Sequence, residues 1–154
     1  MGNSFPEIVA KNVSMLTNSD RIKWQKISDY TRKNNNAALE DFILNQDKTF
    51  YNSIIRYGFR KHYYYGKSFC IKDSFCAEFE GGLIYLFSVY EHPEIQQVYI
   101  LAVQGTIDSD ISRLNNEMIA QDALSSLYSL AKEQVAKDKN VNNDYIAKLL
   151  NITE

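Results

Sequence analysis

Apolar residues recur at helical spacing near the N-terminus, crowd into alternating or unbroken runs through the middle of the chain, and return to helical spacing towards the end. Ser4-Phe5-Pro6-Glu7 reads as a capping box with proline in the first turn, where its missing N–H costs nothing. Phe5, Val9, Val13 and Leu16 then share one face, so a first helix is expected to run to about Leu16. Thr17-Asn18-Ser19-Asp20 offers N-caps for a second helix with Trp24, Ile27 and Thr31 on one side, ending near Lys33 before Asn34-Asn35-Asn36. Leu39, Phe42 and Ile43 mark a short third helix. Asp47 caps an expected fourth, in which Phe50, Ile54 and Tyr57 stack and Gly58 closes the end.

Beyond Gly58, aromatic and β-branched residues between short turn signals predict sheet. The clearest strands are Leu83 to Tyr90 and Ile95 to Gln104, a hairpin joined by Glu91-His92-Pro93-Glu94. Leu83, Tyr85, Phe87 and Val89 fall on one side and Ile84, Leu86 and Tyr90 on the other, so both faces need covering. Upstream, Lys67 to Ile71 and Phe75 to Phe79 form a second expected hairpin around Lys72-Asp73-Ser74, linked onward by Gly81-Gly82.

Ser109 and Asp110 open an expected long helix striped by Leu114, Met118, Leu124, Leu127, Ala131 and Val135, reaching about Lys137 and lying across the sheet. Lys137 to Asn140 breaks it, and Asn142 or Asn143 caps a last short helix with Ile146, Leu149 and Leu150. The stretch Asp144 to Ile152 is similar to the first helix and turn of a helix-turn-helix, but no recognition helix follows it, so a docking helix is expected instead. The whole predicts one α+β domain over residues 1–154: helical over 1–58, an antiparallel meander of about four strands over 59–105, and helical over 106–154.

Composition narrows the function classes. The chain has 154 residues, 45% of them hydrophobic, and a net charge of −2, which excludes a globally basic nucleic-acid binder while leaving room for a local patch. There is no signal-like start and no apolar run of the ~20 residues that span a bilayer, so a cytoplasmic protein without membrane contact is expected. Fourteen asparagines fit an AT-rich coding genome, such as a low-GC bacterium, its phage or its plasmid.

Charge is sorted along the chain. From Lys48 to Lys72 there are six Lys or Arg and no Asp or Glu, whereas Asp73 to Ala131 carries nine acids against the single base Arg113. Arg56, Arg60, Lys61, His62, Tyr63, Tyr64, Tyr65 and Lys67 are the candidate partner-binding residues. Cations among aromatics suit an anionic partner, either an acidic protein surface or a single-stranded nucleic acid. The competing reading buries half the tyrosines and lets the basic strand neutralise acidic neighbours within the sheet. Apolar sheet faces and a wide helical stripe exceed what two layers bury, so a homodimer or a protein partner is expected to take up the surplus.

Chemistry-bearing clusters are sparse. Cys70 and Cys76 would face each other across the expected turn, within reach of a disulfide, yet free thiols are expected in a reducing compartment. Adding His62 and His92 completes a Cys2His2 count, but the spacing matches no zinc pattern, and no metal or cofactor is expected. Glu78 and Glu80 share a strand face at period two as candidate acid and base, with a solvated edge the simpler reading. No nucleophile elbow, phosphate loop or HExxH occurs, so no catalytic residue is assigned. The expectation is therefore a small non-enzymatic binding or regulatory protein acting through a protein–protein interface. The alternatives are single-stranded nucleic-acid binding through residues 56–67, and a small-molecule-binding domain or enzyme whose site is assembled from distant residues.

Overall fold

The computed structural model describes residues 4–46, 48–56, 59–92, 96–115 and 119–152, with side chains placed for 4–45, 69–90, 97–115, 119–137 and 145–152. In chain order the elements are α1 Phe5–Asn18, β1 Trp24–Lys26, α2 Ile27–Lys33, α3 Ala37–Gln46, β2 Lys48–Arg56, β3 Phe59–Phe79, β4 Gly82–His92, β5 Gln96–Gln104, β6 Ser112–Arg113 and α4 Gln121–Leu150. The fold is α+β: short N-terminal helices, an antiparallel sheet, and a long C-terminal helix packed against it. Among the described residues, six strands make one sheet in the order β1-β3-β4-β5-β6, with β2 paired to the other half of the β3 edge that β1 occupies.

Alternation along β4 explains the layering. Leu83, Tyr85, Phe87 and Val89 pack with Ile27 and Tyr30 of α2 and Leu39 and Phe42 of α3. Ile84 and Leu86 pack on the opposite side with Ala10 and Val13 of α1 and Leu124, Leu127 and Ala131 of α4. Both apolar faces predicted for the central hairpin are thus covered from within the chain. The surplus that pointed to a dimer is correspondingly smaller. Much of what remains lies at the end of α4, where Tyr145, Ile146, Leu149 and Leu150 are exposed.

Several elements depart from the local pattern. The second helix begins only at Ile27, because Trp24-Gln25-Lys26 pairs with Phe75–Ala77, and Trp24 is buried against the α1/α4 core with its indole N–H donating to Thr17 at 3.0 Å. The expected fourth helix is instead strand β2: Thr49, Tyr51, Ile54 and Ile55 supply β-branched and aromatic residues on both parities, which suits a paired strand better than one helical stripe. Lys72-Asp73-Ser74 does not turn the chain, and β3 is one strand of 21 residues carrying an irregularity between Cys70 and Phe75. Ser74 holds it together: its buried hydroxyl donates to the Cys70 carbonyl at 2.7 Å and accepts the Ser88 N–H at 3.0 Å.

Downstream, Ser109 closes a turn onto Thr106 rather than opening a helix, and α4 starts at Gln121. The terminal helix is the end of α4, continuous through the expected break, since unfavourable residues such as Asn and Asp cost only ~0.7 kcal/mol each in a helix interior. The Glu80-Gly81 turn between β3 and β4 has both residues at positive φ, the geometry of a two-residue hairpin. At Gly82 a Cβ would lie 2.8 Å from the Gln104 carbonyl oxygen, so that β5 end approaches too closely for any side chain.

Carboxamide side chains occupy edge positions beside β1 and β5. Gln134 on α4 accepts from the Trp24 N–H at 2.7 Å and donates to the Ile22 carbonyl at 2.8 Å, taking the place of a neighbouring strand beside β1. On β5, Gln121 makes the same two contacts with Tyr99, and Asn115 accepts from the Leu101 N–H at 2.7 Å. At these positions on β1 and β5, backbone groups that would template a foreign strand are thereby used up.

Candidate functional site

All eight sequence-predicted contact residues fall on the β2–β3 pair. Their backbone register is described, whereas their side chains, together with Tyr57 and Gly58, lie outside the described residues. Pairing runs antiparallel from Lys48↔Lys67 to Arg56↔Phe59. Strand β4 joins β3 only from Gly66↔His92 onward, so among the described pairings Phe59 to Tyr65 are matched with β2 alone. At ~3.4 Å per residue this two-stranded ribbon continues about 24 Å past the end of β4.

Register separates the basic residues into two groups. Lys67 stands opposite Glu91 in the register, a position at which an acid is within reach across the ladder. Arg56, Arg60 and Lys61 stand opposite Phe59, Ile55 and Ile54, and His62 opposite Ser53. Neither ribbon strand contains an acid between Lys48 and Gly66, so no carboxylate occupies a paired position along the projecting part. Antiparallel partners share a face. Positions 59, 61, 63, 65 and 67 therefore lie on one face with 48, 50, 52, 54 and 56, gathering Lys48, Arg56, Lys61 and Lys67 with Phe50, Phe59, Tyr63 and Tyr65. Arg60, His62 and Tyr64 share the other face with Tyr51, Ser53 and Ile55.

At the opposite end of β3 an open cleft of about 340 Å³ is lined by Tyr30, Asn34, Glu78, Phe79, Glu80, Gly81, Gly82, Leu83 and Ile107. Glu78 and Glu80 do not share a strand face, because β3 ends at Phe79 and Glu80 sits in the turn at φ 49°. Both are exposed, the setting of a wetted turn rather than of an acid–base pair tuned by burial. Beneath the cleft lies a buried polar cluster. The Asn36 amide donates to Tyr85 Oη and Gln104 Oε1, both at 2.9 Å, and Asn36 Oδ1 accepts the Leu39 N–H at 3.1 Å, capping α3. Tyr85 donates to Gln104 Oε1 at 2.6 Å, and Gln104 Nε2 donates to the carbonyls of Ile107 and Ser109. Among the described residues, every buried side-chain nitrogen and oxygen has a hydrogen-bond partner, so the cluster holds the 105–111 loop and leaves no polar atom over for a ligand.

Cys70 and Cys76 are free thiols on a single strand, not on facing strands. The extra residues between them change the parity of β3: Phe69 and Cys76 both belong to the α2/α3 face, which puts Cys70 on the other. Neither a disulfide nor a shared metal ion is open to them, and among the described residues no cluster of His, Cys, Asp and Glu suits a metal. His62 and His92 have side chains outside the described set. Burial, reinforced by Asp73, raises the Cys70 pKa, and burial beside Glu78 pushes Cys76 up to about 12, the reverse of what a nucleophilic thiolate needs. Alkylation of native protein should label Cys70 more slowly than a model thiol at pH 7.5 and faster as pH rises, and should reach Cys76 only in denaturant. Intact mass spectrometry checks this, and rapid labelling of both thiols in native protein would contradict it.

Sequence reading missed Asn36, Gln104, Asn115, Gln121 and Gln134. Their signal was present in part: Gln134 interrupts the apolar α4 stripe beside Val135, and Asn36 stands three residues before Leu39 at a cap position. Among the described residues, no helix is long and apolar enough to cross a membrane. No protein-family model, curated protein or solved structure matches the chain.

Proposed function

We propose that this chain is a small, non-enzymatic, cytoplasmic binding protein whose working surface is the β2–β3 ribbon, which engages an anionic macromolecule. The observation that carries the reading is the register: Arg56, Arg60 and Lys61 stand opposite Phe59, Ile55 and Ile54, on strands with no acid between Lys48 and Gly66, beyond the point where β4 stops. Cations without a carboxylate at a paired position are available to a partner's charges. An acidic protein surface and a nucleic-acid backbone both present such charges. What supports a non-enzymatic reading, among the described residues, is thiols driven towards their neutral form, solvated carboxylates and a saturated buried polar cluster. Homodimerisation, proposed for the same protein, now rests mainly on the exposed apolar end of α4.

Heparin, a generic polyanion, tests the surface. With a net charge of −2, the wild-type protein should nevertheless be retained on heparin at low salt and elute as salt rises. Replacing Arg56, Arg60 and Lys61 together by Ala should abolish retention while shifting Tm by no more than about 2 °C, the outcome expected of charges that serve binding rather than folding. Flow-through of the wild-type at low salt, or equal retention of the variant, would remove the ribbon as the site.

A further inference from the structure

We infer that the ribbon's anionic partner is a single-stranded nucleic acid, with bases stacking on the face that the register assigns to Phe50, Tyr63 and Tyr65. This rests on the ribbon reading and narrows it. Pairing sets Phe50 directly opposite Tyr65, with Tyr63 one same-face step further along β3, opposite Asn52. Same-face positions on one strand are about 7 Å apart and directly opposed positions about 5 Å apart, so three aromatic positions form one contiguous patch. Lys61 lies one same-face step beyond Tyr63, and the Lys48↔Lys67 pair one step beyond Tyr65 in the other direction. Lysine positions therefore flank the aromatic patch at both ends, Lys61 at one and Lys48 at the other, where Lys67 is also paired across the ladder with Glu91, and a carboxamide-bearing residue, Asn52, lies beside the patch.

This combination discriminates among anionic partners. An acidic protein surface needs the cations but gives no reason for aromatics in register between them. A duplex keeps its base faces inside its own stack, where an external aromatic finds nothing to cover. A single strand presents a π-face on every base and a charge on every phosphate, which matches aromatic positions flanked by Lys. The same face meets α3 further along the strand. Phe42 of α3 packs on Phe69, and Tyr65 lies about 14 Å further along β3 at ~3.4 Å per residue.

The test is fluorescence anisotropy with fluorescein-labelled oligo(dT) and oligo(rU), a labelled duplex of equal length, and labelled poly-L-glutamate, each over a salt series. Expected are micromolar binding of the single strands that weakens steeply with salt, at least tenfold weaker binding of the duplex, and weaker binding still of poly-L-glutamate. Tyr63→Leu with Tyr65→Leu should weaken single-strand binding by tenfold or more while leaving heparin retention in place, separating stacking from charge. The inference is overturned if duplex or poly-L-glutamate binds as tightly as the single strand, or if folded Tyr63→Leu/Tyr65→Leu binds like wild-type. In either case retention on heparin leaves the ribbon standing as an anion-binding site. Loss of heparin retention by the wild-type would instead bring down both readings. Should the double variant fold poorly, the comparison of probes on wild-type protein decides the matter by itself.

Discussion

Phe87→Ala should lower the free energy of unfolding by about 3–5 kcal/mol, among the largest effects expected of a single truncation in this chain. Phe87 is fully buried, and its ring centroid lies 5.1 Å from Phe69, 5.5 Å from Phe42 and 5.7 Å from Tyr85. Truncation removes the transfer free energy of the ring and leaves a cavity walled by three other aromatic rings. Those rings come from α3, β3 and β4 itself, so the site cannot collapse without moving the helical layer against the sheet. For a chain of this size the loss corresponds to a Tm decrease of roughly 6–20 °C. Urea denaturation should show a lower midpoint at unchanged slope. Phe87→Leu, which keeps most of the volume, should lose less than half as much. A loss below about 1 kcal/mol for the alanine variant would mean that the four rings do not form the packed cluster described.

Asn36→Ala should cost about 2–4 kcal/mol, more than an isolated side-chain hydrogen bond, because one residue serves three purposes. It caps α3 through the Leu39 N–H, supplies a donor to the Tyr85 hydroxyl, and bonds the Gln104 carboxamide that fixes the 105–111 loop. Burial raises the Tyr85 pKa well above the usual phenol range, so its hydroxyl stays protonated and donates to Gln104 throughout neutral pH. Tyr85→Phe alone should cost about 1 kcal/mol, since Gln104 Oε1 keeps the Asn36 donor. The informative experiment is the double-mutant cycle of Asn36→Ala and Tyr85→Phe. Coupling of about 0.5 kcal/mol or more is expected for residues in one network, and additive losses would show that the two act independently.

The two variants also bear on the proposed binding surface. Both lie in the body of the fold, whereas Phe59 to Tyr65 pair beyond it. Binding by the ribbon should therefore be little changed in Phe87→Ala and Asn36→Ala at temperatures where they remain folded. The reverse separation, loss of binding at unchanged stability, is expected of Arg56, Arg60 and Lys61 replaced together.

Residues 82–104 show what sequence alone determines. Leu83, Tyr85, Phe87 and Val89 alternate with Ile84 and Leu86, and period-two alternation is a property of a single strand, independent of its partners. The hairpin, its two apolar faces and the need for cover on each side were therefore legible. So were the α1 cap, where Ser4 accepts the Glu7 N–H, and the acid-free basic stretch that became the ribbon. Tertiary structure decided the rest, because those features depend on distant neighbours. Trp24–Lys26 is a strand only because Phe75–Ala77 lies beside it, and residues 48–56 have apolar positions compatible with helix or strand until β3 supplies a ladder. Lys72-Asp73-Ser74 became an irregularity within β3 rather than a turn because Ser74 reaches Ser88 and the Tyr128 hydroxyl reaches the Asp73 carbonyl, 55 residues away in sequence. Gln121 and Gln134 acquire their role only when α4 brings their amides to strand edges. A helix is written in contacts three and four residues apart. A strand, a sheet edge and the shared face of a ribbon are settled by whichever chain segment arrives alongside.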